Sequence, residues 1–320
     1  MRVLVTGAAG FIGFHVCERL LGRGDRVVGV DHFASSLDVN AGRARLARLL
    51  GTRGFLFQPV DITDGPALRE LFAHEQPQAV VHLAARVGVR DAGSEPRRYT
   101  DTNVTGFLQV LEACREARVA HLVYASSSSV YGAGTPPFRE DAAADRPLNL
   151  YGATKRANEL MAHAASYQQG LPTSGLRFFT VYGPWGRPDM APLLFLRAMA
   201  EGRPLVLHGE GGMRRDFTFV DDVAEAVLRV LDRPPTGAPP HRVLNVGFGR
   251  AVALRDFVTL LEQGLGVSAR RESRPAQVGE MDATWADTSA LERETGFRPQ
   301  VPVEEGVARL VAWHRALRAG

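Results

Sequence analysis

Arg2-Val3-Leu4-Val5-Thr6-Gly7-Ala8-Ala9-Gly10-Phe11-Ile12-Gly13 decides the fold. The run Arg2 to Thr6 reads as a buried strand, and a glycine-punctuated turn follows it directly and opens a helical pattern. Each glycine has a separate task. Gly7 permits the tight turn, Gly10 lets a pyrophosphate approach the backbone, and Gly13 lets the helix pack against the strand. Phe11 and Ile12, between them, start the helix whose N–H groups and positive dipole end face the phosphates. A glycine pattern alone carries little weight, but this one has its strand, its helix and an acidic residue, Asp31, at the end of the second apolar run. A carboxylate there accepts both adenosine ribose hydroxyls. His32 follows it with no adjacent arginine to meet a 2′-phosphate, so NAD is expected over NADP.

Working outward, short apolar runs at Arg26 to Asp31, Phe55 to Pro59, Ala79 to Leu83, His121 to Ala125 and Thr173 to Arg177 alternate with helical patterns. The helices are read at Phe14 to Leu21, Ala41 to Leu50, Gly65 to Glu75, Thr102 to Ala117 and Tyr151 to Gln169. Strand-helix alternation implies βαβ units and a Rossmann-type, doubly wound parallel sheet in an α/β fold, with ligands at the carboxyl ends of the strands. Asp61-Ile62 at the end of the third strand is placed to border adenine, and Leu83-Ala84-Ala85 at the end of the fourth is small enough for the dinucleotide to lie close.

After residue 180 the rhythm breaks. Gly183 to Pro192 is rich in Gly and Pro, a helix is read through Ala200, and another at Asp221 to Asp232 ends at a Pro-rich loop before a strand at Val243 to Val246. The expected division is an NAD-binding domain of residues 1–181 with about 216–249, and a smaller C-terminal α/β substrate domain of about 182–215 with 250–320.

The chain has 320 residues, 45% of them hydrophobic, enough for a large core and two domains. Its 38 cations and 35 anions are interspersed and leave a formal charge of +3, which suits small anionic ligands and argues against nucleic acid. Cys17 and Cys114 read as reduced core residues, and the nine histidines show no metal-ligand spacing, so no metal is expected. No apolar run is long enough to span a membrane. A strand beginning at Arg2 leaves no room for a signal peptide, so the expected compartment is the cytoplasm.

Lys155 is the only lysine; every other one of the 38 basic residues is arginine. It stands four residues after Tyr151, so on a helix the phenol and the ammonium share one face. A tyrosine removes an alcohol proton only if its phenol pKa, near 10 when unperturbed, is lowered. A positive charge about 4 Å away is worth on the order of 4 kcal/mol, roughly three pKa units. Upstream, Tyr124-Ala125-Ser126-Ser127-Ser128-Ser129-Val130-Tyr131-Gly132 supplies four consecutive hydroxyls at a strand's carboxyl end, one of which can shuttle or orient the proton. Together these groups describe hydride transfer between a secondary alcohol and nicotinamide.

The glycine loop, the serine strand and the Tyr151/Lys155 pair, in that order, resemble the extended short-chain dehydrogenase/reductase superfamily, with its nucleotide-sugar members the nearest match. The resemblance runs from Arg2 to about Trp313. It implies Tyr151 as base, Lys155 as its partner, Ser127 as the catalytic hydroxyl, and Asn103 as a brace on the cofactor side. It also implies a homodimer formed through two helices of the main domain.

Sugar dehydratases of this superfamily place Asp-Glu after the catalytic hydroxyl, and nucleotide-sugar decarboxylases place a Glu just before Val-Tyr-Gly. Here those positions are Ser128 and Ser129, which leaves oxidation followed by re-reduction, an epimerisation. Val181 to Ala191, Gly209 to Asp222 and Thr284 to Asp287 are similar to the corresponding segments of UDP-glucuronate 4-epimerases. That resemblance implies a UDP-sugar substrate interconverted between UDP-glucuronate and UDP-galacturonate, with Thr180 and Arg187 facing the sugar, Arg215 the pyrophosphate and Glu280 the uridine ribose. Glu280 and Asp282 depart from the family's usual aspartate and proline, and Arg90 and Arg274 are further candidate anion contacts. Other readings are a UDP-glucose/galactose 4-epimerase, a UDP-glucuronate decarboxylase, or a non-catalytic dinucleotide-sensing protein.

Oxidation of a uronate at C4 makes a ketone β to the C6 carboxylate, a species that loses CO₂ when the C5–C6 bond aligns with the carbonyl π system. Ser128, Ser129 and Thr180 are expected to grip that carboxylate with neutral donors and hold it out of alignment.

Overall fold

The computed structural model describes residues 1–33, 39–88, 91–275 and 281–319. Seven parallel strands form the central sheet: β1 (Arg2–Thr6), β2 (Arg26–Val30), β3 (Phe55–Gln58), β4 (Ala79–His82), β5 (His121–Ser127), β6 (Thr173–Phe178) and β10 (His241–Val246). Their order is β10-β6-β5-β4-β1-β2-β3, which reverses at β1 and so opens a crevice between β1 and β4 at the strand ends. Val3, Leu4 and Val5 of β1 are fully buried because the strand lies between β2 and β4 with helices over both faces.

On one face α1 (Phe11–Gly22) packs against α9 (Val220–Leu231), and their apolar residues merge with Val3, Val5, Val81 and Leu176 in one core. On the other face α3 (Gly65–Glu75), α6 (Gly106–Glu116) and α7 (Leu150–Gln169) cover Leu4, Val80, Leu122 and Tyr124. The remaining main-sheet helices are α2 (Val39–Leu49), α4 (Asp91–Ser94) and α5 (Pro96–Thr100), the last leading into α6 through a wide turn at Asp101–Thr105. That turn is a π-helical one, so the helix expected at Thr102 to Ala117 is present with a widened first turn.

A second lobe begins at β7 (Thr180–Tyr182). It continues through α8 (Ala191–Ala200), β8 (Leu205–His208), β9 (Arg214–Phe219), β11 (Ala251–Ala253), α10 (Leu254–Leu265), β12 (Arg271–Arg274), β13 (Ala283–Thr284), α11 (Ser289–Thr295) and α12 (Val303–Ala319). β9 is flanked by β7, β11 and β13, and β8 pairs with β12. Tyr182, Phe217, Phe219 and Phe257 form the aromatic centre of its core. β9 runs unbroken from Arg214 to Phe219, so the chain crosses back to the main sheet only at α9, while α11 packs on α9 and β10. No helix among the described residues is long and apolar enough to cross a membrane.

Candidate active site

The glycine loop is fastened before any ligand is considered. Gly7 N donates to Val30 O at 2.8 Å, and Gly7 adopts φ +71°. A Cβ at Gly7 would lie 2.7 Å from Ala84 N, so the loop and the segment leaving β4 meet backbone to backbone. That segment is itself pinned: Leu83 N and Ala84 N donate to Thr6 O and Thr6 Oγ1 at 3.1 and 3.2 Å. Ala85 follows, partly exposed.

Asp31 ends β2 as expected. Its Oδ2 accepts from Ala9 N at 2.9 Å and its Oδ1 from His32 N at 2.7 Å, leaving further lone pairs on each oxygen for ribose hydroxyls. Burial raises the Asp31 pKa, and the two amides pull it back. His32 Nδ1 lies 3.2 Å from Asp61 Oδ2, with Ile62 buried behind. Gly10 caps α1 without a side-chain hydrogen bond, and no acidic residue stands in the helix's first turn. An unneutralised helix N-terminus, a tight glycine turn and a strand-end carboxylate fit a dinucleotide.

Asn103 joins this cradle to α7. Its Oδ1 accepts from Arg86 N at 2.8 Å, and its Nδ2 donates to Arg86 O at 3.0 Å and Thr154 Oγ1 at 3.1 Å. Asn158 Nδ2 closes the knot on Asn103 O at 2.6 Å.

The helix α7 starts where it does because Asn149 Oδ1 accepts from Gly152 N at 2.8 Å, and it stops at Gly170 in a left-handed conformation. Tyr151, Lys155, Asn158, Glu159 and Ala162 then fall on one face, at helical spacing. Gly152 permits the close approach, since a Cβ there would lie 2.6 Å from Ser129 O. This brings Tyr151 to Ser127, which ends β5 and accepts from Ser129 N at 3.1 Å on its Oγ. Ser128 and Ser129 leave the strand in a short turn, Ser128–Tyr131, and both are half-buried.

Burial raises the Tyr151 phenol above its ordinary range, while the charge of Arg187 and a hydrogen bond with Ser127 pull it down. In the structure the Lys155 ammonium is turned onto the end of β5, donating to Ala125 O at 3.0 Å, because a strand-end carbonyl satisfies a buried cation. Burial pushes Lys155 down to about 8.

On the sugar side, Thr180 opens β7 and is half-buried. Arg187 forks onto Asp189 with contacts of 3.1 and 2.5 Å. Arg215 lies on β9, which pairs with β7, and its Nη1 donates to Arg214 O at 3.0 Å, while Arg274 is exposed on β12. Glu280 and Arg90 lie outside the described residues.

Several site-supporting residues escaped the sequence reading. Ser126 Oγ donates to Glu159 Oε1 at 2.6 Å, and Arg177 binds the same carboxylate with Nε and Nη2 at 2.8 and 2.9 Å. The Arg177 guanidinium also lies 4.6 Å from the Tyr131 ring centroid. The spacing Tyr151, Lys155, Glu159 was the available signal, since a third residue on that face had to be buried too. Asp216 of β9, fully buried, accepts from Phe248 N, Gly249 N and Ala286 N and so ties the loop after β10 and the segment after β13 to β9.

The sequence matches the NAD dependent epimerase/dehydratase family over residues 3–247. It is 43% identical over 330 residues to a probable UDP-glucuronate 4-epimerase of Rhizobium meliloti, covering 98% of this chain and 97% of that protein. A UDP-glucuronate 4-epimerase of Thermodesulfobacterium geofontis is 39% identical over 313 residues, covering 98% and 95%. Among solved structures, the UDP-glucuronic acid 4-epimerase of Bacillus cereus in complex with UDP-glucuronic acid and NAD superposes with a TM-score of 0.92 at 34% identity, covering 99% of this chain and all of that one. With the glycine loop, the crevice and the Tyr151/Lys155 helix in place, the chain belongs to the NAD dependent epimerase/dehydratase family.

Proposed function

We propose that this chain is a UDP-glucuronate 4-epimerase that interconverts UDP-glucuronate and UDP-galacturonate with NAD. One observation carries the choice within the family: the turn after Ser127 holds Ser128 and Ser129, hydroxyls where dehydratases and decarboxylases of this kind carry carboxylates, and α7 closes on that same turn. Relatives and solved structures acting on or binding UDP-glucuronate support the same substrate.

In this reading Gly7, Gly10, Phe11, Ile12 and Gly13 hold the pyrophosphate, and Asp31 the adenosine ribose. His32, Asp61 and Ile62 border the adenine, and Leu83, Ala84, Ala85 and Asn103 line the path to the reacting end. When bound in that cradle, NAD would supply a hydride acceptor for the sugar C4 and the means to return the hydride. Tyr151 removes the O4 proton and gives it back after the 4-keto sugar has turned its other face, and Ser127 orients O4. Lys155 keeps a positive charge at the base of the site, which favours the phenolate. Ser128, Ser129 and Thr180 grip the uronate carboxylate, with Arg187 and Arg215 serving the anionic groups and Glu280 the uridine ribose. Neutral donors that fix the carboxylate keep the C5–C6 bond out of line with the ketone and suppress loss of CO₂.

The test is incubation with UDP-glucuronate and UDP-glucose separately. UDP-galacturonate from the first supports the reading; a pentose with CO₂, or turnover of UDP-glucose alone, sinks it.

We further infer a homodimer through α6 and α7, whose Leu108, Leu160 and Tyr167 are exposed. A monomeric mass in solution at micromolar concentration would contradict it. The buried thiols of Cys17 and Cys114 suit a reducing compartment, and we place the reaction in the cytoplasm, with cell fractionation as the check.

A further inference from the structure

Arg45 lies on α2 among solvent-facing neighbours, Arg43, Ala44, Ala47 and Arg48, yet it is only 4% exposed. Its guanidinium reaches two backbone carbonyls on different segments. Nε donates to Ala9 O at 2.7 Å and Nη1 to Trp185 O at 2.8 Å. Ala9 belongs to the glycine loop, and its own N–H is held by Asp31. Trp185 stands two residues before Arg187, in the segment that returns towards Tyr151.

Trp185 adopts φ +60°, a region that bulky side chains rarely enter, so its backbone needs outside support. Much of that support comes from the first two helices. His15 Nε2 lies 2.9 Å from Pro184 O, and burial keeps the imidazole neutral, so this nitrogen carries the proton and donates. The Trp185 ring packs against Phe14 at 6.0 Å and against Trp313 at 5.5 Å, with the Arg48 guanidinium 5.4 Å from its centroid. A planar fork with donors in divergent directions can serve two carbonyls at once, which a single ammonium does poorly.

We propose that Arg45 is a positioning residue that couples the glycine loop to the segment 183–190, so that filling the cofactor cradle sets the geometry of the sugar-side loop carrying Arg187. The identity of the sugar rests on the proposed function above; the strut itself needs only NAD. A pyrophosphate that fixes the Ala9 peptide fixes the acceptor of one Arg45 donor, and the rigid guanidinium transmits that restraint to Trp185 O.

Hydrogen exchange of the segment 183–190, read by mass spectrometry with and without saturating NAD, tests the coupling. NAD is expected to slow exchange there about tenfold in the wild type and less than about twofold in Arg45→Met, with Arg45→Lys between them. Equal NAD-dependent protection in wild type and Arg45→Met overturns the proposal, as does a wild type whose segment ignores NAD. In kinetics, Arg45→Met should raise KM for UDP-glucuronate about tenfold while leaving the inhibition constant of UDP within about twofold. Parallel weakening of both ligands marks a general loosening and also overturns it. Should Arg45→Met fail to fold, Arg45→Lys carries the same comparisons. A wild type that forms no UDP-galacturonate removes the proposed function, and the exchange experiment still decides the strut.

Discussion

Lys155 Nζ donates to Ala125 O at 3.0 Å, so the chain's only lysine ties α7 to β5 two residues before Ser127. The side chain is 1% exposed, and a guanidinium is broader than the space that an ammonium on a slim stem occupies. Lys155→Arg is therefore expected to lower kcat by about 100-fold or more, because the fork displaces either Ala125 or Tyr151. Steady-state kinetics decide the matter: near-normal turnover would make the lone lysine an accident of composition.

The same burial gives a pH signature. Lys155 is pushed down to about 8 from an ordinary 10.5. Below pH 8 both folded and unfolded chains carry its proton, and the folded state bears the full cost of the buried charge. Between about 8 and 10.5 the unfolded chain holds the extra proton, so stability rises with pH, by about 3 kcal/mol in all from this group. Turnover should fall over the same range as the ammonium is lost. Denaturant unfolding of wild type against Lys155→Met at pH 7.5 and pH 10 reads the first effect, and a wild-type pH–rate profile the second. A stability difference between the two proteins that does not change with pH would refute the assignment.

Arg177 and Glu159 form a buried ion pair that also accepts the Ser126 hydroxyl, directly behind the catalytic strand end. Burial acts to raise Glu159, but Arg177 overrules it and holds the carboxyl below its usual range. Arg177→Met leaves Glu159 only the partly exposed Arg156, whose Nη1 lies 2.8 Å from Oε2, so it is expected to cost about 3 kcal/mol, and Arg177→Met with Glu159→Leu less. Denaturation midpoints measure both. A double variant no more stable than the single one would mean that the pair contributes through packing, not charge.

What could be read from the sequence was what is local in it. The Gly7 to Gly13 turn, Asp31 at a strand end and Tyr151/Lys155 at helical spacing each need only their neighbours, and the strands around them came within two residues of their observed ends, with His121–Ser127 and His241–Val246 furthest off. The strand His241–Val246 was recognised only from Val243 because its first residues, His241 and Arg242, are polar, and their partners, Thr173, Ser174 and Glu294 among them, lie far away in sequence. Arg45 shares the buried face of α2 with Gly42, Leu46 and Leu49, so the periodicity did mark it, but among the flanking arginines Arg43 and Arg48 a cation on that face reads as a boundary residue whose head reaches solvent. Arg177 reads as the end of an apolar strand, and its partner Glu159 is 18 residues away on another element. The four-residue turn after Ser127 could not be told from continued strand, since serine suits both.

Ser128 and Ser129 offer a direct test of the carboxylate grip. Ser128→Ala with Ser129→Ala removes two donors without adding bulk, and the expected result is a KM for UDP-glucuronate about 30-fold higher, at about 1 kcal/mol per lost hydrogen bond. The product mixture should also shift towards pentose and CO₂, because a carboxylate free to turn can align with the ketone. Chromatography of the nucleotide-sugar products with trapped CO₂ gives both numbers. Unchanged affinity together with unchanged CO₂ yield would assign the grip to other groups.

Two glycines separate cofactor binding from chemistry. At Gly7, φ +71° and the 2.7 Å approach to Ala84 N leave no place for a methyl group, so Gly7→Ala forces the turn and the segment after β4 apart. The purified variant should lose most of its NAD, measured by acid release of the nucleotide. Gly152 lies inside α7, where alanine is intrinsically favoured by about 1 kcal/mol. Its Cβ would nonetheless stand 2.6 Å from Ser129 O, a backbone atom that cannot simply rotate away. Gly152→Ala must therefore lift the start of α7 off the serine turn and carry Tyr151 away from Ser127. A displacement of even about 1 Å at reacting groups costs about 100-fold in rate. The expected outcome is a protein with wild-type NAD content and a kcat reduced by one to two orders of magnitude, the reverse of Gly7→Ala. If Gly152→Ala turns over normally, the serine turn moves with the helix and the closeness of the two backbones is not what sets the geometry of the base.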